Sequence, residues 1–177
     1  MGPPEPISKD DLSASLHAAD VIRKFQALVD KVRKEIQRDW EREFGRNVGA
    51  KKVGLGLETG SLPYWWFRAA DPLWVKPNRR LYLSIGVWAE KGGPHFYVAL
   101  GTRKTFFRTL EADREFQRLR NHIRWKADDT NPTEREWYKS FPVGTGHIDE
   151  IAGRQIRNLR SVQTETRKLV TFLKNRP

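Results

Sequence analysis

The sequence predicts an α+β protein: a curved antiparallel sheet of about four strands, with long N- and C-terminal helices packed on one face. Three observations carry that expectation. Arg80 to Thr102 alternates Leu81, Leu83, Ile85 and Val87 with Tyr82, Ser84, Gly86 and Trp88, then Phe96, Val98 and Leu100 with His95, Tyr97 and Ala99. Period-2 alternation on both sides of Glu90-Lys-Gly-Gly-Pro94 is the mark of a β-hairpin. Both ends of the chain instead repeat apolar residues every three or four positions, the period of a helix. Finally, the strand-like stretches are grouped between those helices, which favours an antiparallel sheet over βαβ alternation.

Residues 1 to 8 are proline-rich and expected to be a disordered tail, and residues 9 to 177 a single domain. Ser8 or Asp10 can cap a first helix whose inner residues are Leu12, Leu16, Ala19, Ile22, Phe25, Val29, Val32, Ile36 and Trp40. Gly45 is placed to end it. Its outer face mixes signs, as a solvated, salt-bridged face does. Arg46 to Lys52 reads as a basic linker, Val53 to Leu57 as a short strand, and Pro63 to Arg68 as a strand aromatic on both faces. Two Pro-containing dipeptides, Asp71-Pro72 and Pro77-Asn78, bracket an irregular connector before the hairpin. Arg103 to about Lys126 reads as one helix rich in arginine, with Phe106, Leu110, Phe116, Leu119 and Ile123 inward. Ala127 to Gly146 is expected to be mostly loop, with a helical turn after the capping sequence Thr133-Glu-Arg-Glu136. His147 to about Lys174 is the closing helix.

The hairpin's aliphatic face needs a cover, since two strands alone are marginal in water. Its other face sets Tyr82, Trp88 and Tyr97 beside the small residues Ser84, Gly86 and Ala99. Rings separated by small side chains leave room for a flat guest. An ordinary packing layer is the reading placed first, since aromatic side chains dominate protein cores.

Composition narrows the function classes. The chain has 33 Lys and Arg against 22 Asp and Glu, a net charge of +11, which suits a protein that meets a polyanion. It contains no cysteine, so a disulfide framework, a thiolate metal site and a cysteine nucleophile are excluded. Neither a membrane-length apolar run nor a signal-peptide pattern occurs, and a cytoplasmic protein without membrane contact is expected. The histidines His17, His95, His122 and His147 are scattered, with no zinc-binding pair. Glu90 and Lys91 are adjacent and so cannot share a strand face as a metal-dependent nuclease motif requires. Gly54-x-Gly56 lacks the third glycine and the following helix of a dinucleotide loop. No catalytic residue, metal or cofactor is expected.

The order of features from Lys51 to Thr102 resembles the N-terminal modified-DNA-binding domain of McrB-type restriction proteins. The features are the strand Lys52-Val-Gly-Leu-Gly-Leu57, a loop, Pro63-Tyr-Trp-Trp-Phe67, Leu81-Tyr-Leu-Ser-Ile85, Val98-Ala-Leu-Gly-Thr102 and a closing amphipathic helix. The resemblance implies a domain that flips a modified base into an aromatic pocket and serves a separate motor or nuclease subunit. It implies Tyr64 or Trp65 as one pocket wall and Tyr82 as another. Glu58 to Leu62, in the place of the wedge loop, has an acid and no aromatic residue, which departs from that pattern.

The expectation is a nucleic-acid-binding module of a restriction or defence system, with DNA preferred over RNA. Its candidate base-binding residues are Tyr64, Trp65, Trp66, Tyr82, Trp88 and Tyr97. Its candidate phosphate-binding residues are Arg46, Lys51, Lys52, Arg68, Arg79, Arg80, Arg103 and Lys104. The alternative is a protein-interaction or inhibitor module of a defence or phage system, and a metal-dependent nuclease ranks third.

Overall fold

The computed structural model of the chain describes residues 8–44, 47–53, 64–69, 82–90, 93–128 and 134–174. Gly45, Leu81, the strand residues 54–57 and the connector 70–81 lie outside them, as do the site candidates Arg46, Arg79 and Arg80. The predicted hairpin forms as β3 (Tyr82–Glu90) and β4 (Gly93–Arg103), paired from Tyr82↔Gly101 to Glu90↔Gly93. Gly93 sits at φ 118°, a conformation that a residue with a Cβ rarely adopts.

Around this hairpin the described residues form a six-stranded antiparallel sheet in the order β1-β2-β3-β4-β6-β5. The further strands are β1 (Asn47–Val53), β2 (Tyr64–Ala69), β5 (Lys126–Asp128) and β6 (Glu134–Pro142). The helices are α1 (Lys9–Phe44), α2 (Lys104–Ala112), α3 (Arg114–Ile123), α4 (Ile148–Ser161) and α5 (Gln163–Lys174). The α+β class holds, with more strands than the four expected.

Four local expectations are corrected. The basic linker is strand β1, paired to β2 from Asn47↔Ala69 to Val53↔Tyr64; lysines suit an edge strand, whose open side they protect from further pairing. The segment after Thr133 is strand β6, not a helical turn. There β4 offers a full-length partner, from His95↔Pro142 to Arg103↔Glu134, and Trp137 is drawn inward. The helix over 103–126 breaks at Asp113, whose extended backbone (φ −78°, ψ 117°) ends α2 and whose carboxylate caps α3. The closing helix breaks at Val162, which is fully buried.

All five helices contribute to one apolar cluster on a single sheet face. Val32, Ile36 and Trp40 of α1, Phe107 of α2, Phe116 of α3, Leu159 of α4 and Leu169 of α5 share it with Leu83, Ile85, Val87, Phe96, Val98, Leu100 and Trp137. Removing water from side chains of this size is worth roughly 1.5–3 kcal/mol each, which is what holds the two layers together. Ion pairs then fix α1 against α4 and α5: Lys31 to Asp149 at 2.7 Å, Arg160 to Asp39 at 3.1 Å, and Arg167 to Glu43. Helix α1 outruns these partners. Leu12 (55% exposed) and Leu16 (73%), expected inside, stand in solvent because burial on α1 begins only near Phe25 and Leu28.

The second sheet face is closed differently. Tyr82, Ser84, Tyr97 and Ala99 are buried yet lie outside the helix-covered cluster. The Tyr82 ring lies across the opposite residue of β4, Gly101, and its hydroxyl donates to Glu136 at 2.9 Å. A Cβ at Gly101 would fall inside that ring. Gly101→Ala should therefore destabilise the protein by about 1–3 kcal/mol, the usual cost of forcing extra atoms into packed space. Urea unfolding of the variant checks this, and Gly101→Ala combined with Tyr82→Ala should recover part of the loss.

Candidate nucleic-acid interface

The structure distributes the sequence-derived candidates unevenly. Tyr64, Trp65, Trp66 and Arg68 fall on β2, Lys51 and Lys52 on β1, and Trp88 on β3. In register, Lys51 opposes Trp66, Trp66 opposes Gly86, and Gly86 opposes Tyr97, so these positions form one cross-strand row. Arg68, Ser84, Ala99 and Tyr138 form the next. The candidates thus lie on adjoining strands but not in one row: Trp66 shares its row with Gly86 and Tyr97, whereas Trp65 opposes Val87, a residue of the helix-covered cluster.

Two of the rings are nonetheless shut. Tyr82 is 5% exposed and Tyr97 6%, with the Tyr97 hydroxyl 3.4 Å from that of Ser84. Among the described residues no open slot lies beside these two rings: the small residues named for it, Ser84, Gly86 and Ala99, are themselves buried, and the Tyr82 ring is laid over a different small residue, Gly101. A planar guest would have to displace Tyr82 from both Gly101 and Glu136.

Charge is distributed with more contrast. In α1 the bases Lys9, Arg23, Lys24, Lys31, Arg33, Lys34, Arg38 and Arg42 are matched in number by the acids Asp10, Asp11, Asp20, Asp30, Glu35, Asp39, Glu41 and Glu43. Many are directly paired: Lys24 and Arg23 with Asp20, both at 2.6 Å, Arg33 with Asp30 at 3.2 Å, and Arg42 with Asp39 at 3.5 Å. Hydrogen bonds from Lys24 and then Arg23 hold the Asp20 carboxyl below its ordinary pKa, and one from Lys31 does the same for Asp149. This helix presents no net charge.

The segment from Arg103 to Lys126 is the opposite case. It carries Arg103, Lys104, Arg108, Arg114, Arg118, Arg120, Arg124 and Lys126 against only Glu111, Asp113 and Glu115. Two of those acids are already committed. Glu111 accepts from the Trp137 indole N–H and from Arg120 at 2.9 Å, while Asp113 accepts from the backbone N–H groups of Glu115 (2.8 Å) and Phe116 (3.0 Å). Among the described residues no ion pair engages Arg103, Lys104, Arg108, Arg114, Arg118 or Arg124. All but the half-buried Lys104 are exposed.

The local fold explains why they face outward. Phe116 and Ile123 are the buried residues of α3, and at 100° per residue Arg114 and Arg118 point to the opposite side, one turn apart. Arg124 follows in the left-handed region (φ 57°) and closes the helix. The sequence-derived set takes only Arg103 and Lys104 from this segment. What identifies the others is the spacing of Arg114 and Arg118 against Phe116 and Ile123, read together with the break at Asp113.

Comparison with known proteins finds no matching family model, no matching curated protein and no matching solved structure. Among the described residues there is no His, Cys, Asp or Glu group able to hold a metal ion, and no helix long and apolar enough to cross a membrane.

Removing the acceptor at 111 tests the separation between committed and free charge. Glu111→Ala leaves the fully buried Trp137 N–H without its partner and should cost about 1–3 kcal/mol in urea unfolding. Glu111→Gln, which keeps an acceptor oxygen, should cost less.

Proposed function

We propose that this chain is a nucleic-acid-binding module that engages the phosphate backbone through unneutralised basic side chains. The observation that carries the reading is the segregation of charge. The longest helix is balanced, whereas the segment from β4 to β5 holds a surplus of exposed cations that no described carboxylate neutralises. Lysine and arginine in that state release condensed counterions when they meet phosphates, which supplies affinity without reading sequence. An evenly spread surplus would favour solubility alone; a concentrated one favours a polyanion.

A narrower second reading is capture of a flipped or unpaired base on the other sheet face, in the setting that the resemblance to McrB-type domains implies. What favours it is that Tyr82 and Tyr97 flank small residues on a face whose burial is separate from the helix-covered core. In that reading Tyr82 must swing off Gly101 when the base enters.

Fluorescence anisotropy with labelled 20-nucleotide duplexes and single strands tests both. The first reading expects affinity to fall about 100- to 1000-fold between 50 and 200 mM salt, the response of roughly four to six phosphate contacts. Absent or salt-insensitive binding would remove it. The second expects Tyr82→Ala to change affinity for a substrate with an extruded base and leave plain duplex unaffected. An equal effect on both leaves Tyr82 a packing residue.

A further inference from the structure

The exposed side of the α2–α3 elbow is the most sharply defined charged surface among the described residues. Resting on the nucleic-acid reading above, we infer that Arg114 and Arg118 form the centre of a contact to the backbone of double-stranded nucleic acid, with Arg124 at the end of the same helix. Three features argue for this surface and for a duplex.

First, its guanidinium groups are unspent. Arg120, on the neighbouring side of the same helix, is taken by Glu111 and sits half-buried, while Arg114 and Arg118 point away from Phe116 and Ile123 into solvent. One helix thus separates a structural arginine from two available ones. Second, the helix N-terminus is not the anion site. The Asp113 carboxylate already occupies the N–H groups of Glu115 and Phe116, so a phosphate must be met by side chains. Third, among the described residues the aromatic rings beside the stripe turn away from it. Phe107 and Phe116 pack inward onto Trp137, Phe106 packs against the same core, and Trp125 is 4% exposed. Affinity for single strands draws on bases stacked against aromatic rings, and with none of these rings turned outward the higher charge density of a duplex is the better match.

The test uses the full chain with Arg114 and Arg118 both changed to Ala, and a second variant with both changed to Lys. Each is titrated against a labelled mixed-sequence duplex, as DNA and as RNA, and against the corresponding single strands, over a salt series. Both side chains are exposed, so thermal unfolding should match the parent. The alanine variant should lose two phosphate contacts, flattening the slope of log K against log salt by about 1.8, which is roughly a tenfold smaller loss of affinity between 50 and 200 mM salt. The lysine variant should keep the parental slope, since the charges remain. Parental binding to duplex with an unchanged slope in the alanine variant overturns the inference and leaves the nucleic-acid reading standing. A parent that binds single strands more tightly than duplex overturns the assignment to a duplex. A parent that binds neither overturns both. Whether the DNA or the RNA duplex binds more tightly identifies the source of the phosphates, and either result supports the stripe if the slope changes.

Discussion

The buried indole of Trp137 is the joint on which the basic side of this protein depends. Phe107 of α2 stacks on it at 4.3 Å and 10°, Phe116 of α3 meets its edge at 4.7 Å and 60°, and its N–H is accepted by Glu111. One side chain of β6 therefore locks two short helices at once. Neither helix is long enough to be stable alone, so their orientation comes from this packing rather than from their own propensity. Once Phe116 is seated, the rotation of α3 is set, and with it the outward direction of Arg114 and Arg118.

That arrangement assigns opposite tasks to similar residues. In α1 and along its contact with α4 and α5, cations are held by nearby carboxylates, as with Lys31 and Asp149 or Arg160 and Asp39. Such exposed pairs add little stability, about 0–1 kcal/mol each. Their larger effect is to cancel charge. From Arg103 to Lys126 there are only three acids, and two of them are taken up in bonding an indole and capping a helix, so most of the arginine charge there is left uncancelled. A formal surplus of +11 says nothing about placement; the scarcity and commitment of acids decides it.

Much of the architecture is legible from the residues. The alternation over Tyr82–Glu90 and Gly93–Arg103 and the helical period at both ends rest on side-chain direction, which is a local property; the hairpin and the first helix appear as expected, and the closing helix appears in two pieces. The failures share a cause. Thr133-Glu-Arg-Glu136 has the local chemistry of a helix start, but β4 offers an unpaired edge, and long-range pairing overrides the capping preference. Lys51 and Lys52 look like linker residues until β2 is known to lie alongside. The aromatic face is the instructive case for the site. Composition locates the rings of Tyr82 and Tyr97 and the small residues between them, but whether the space is open depends on where each ring lies, and sequence spacing carries no information about that.

The seating of Tyr82 over Gly101 also constrains how this protein can vary over evolutionary time. Positions 82 and 101 are nineteen residues apart in sequence but share one small volume, so they are not free to drift separately. A lineage that gains bulk on β4 at this point must first shed it on β3. Among divergent descendants the two sites should therefore trade size as a linked pair, with glycine retained wherever the phenol is.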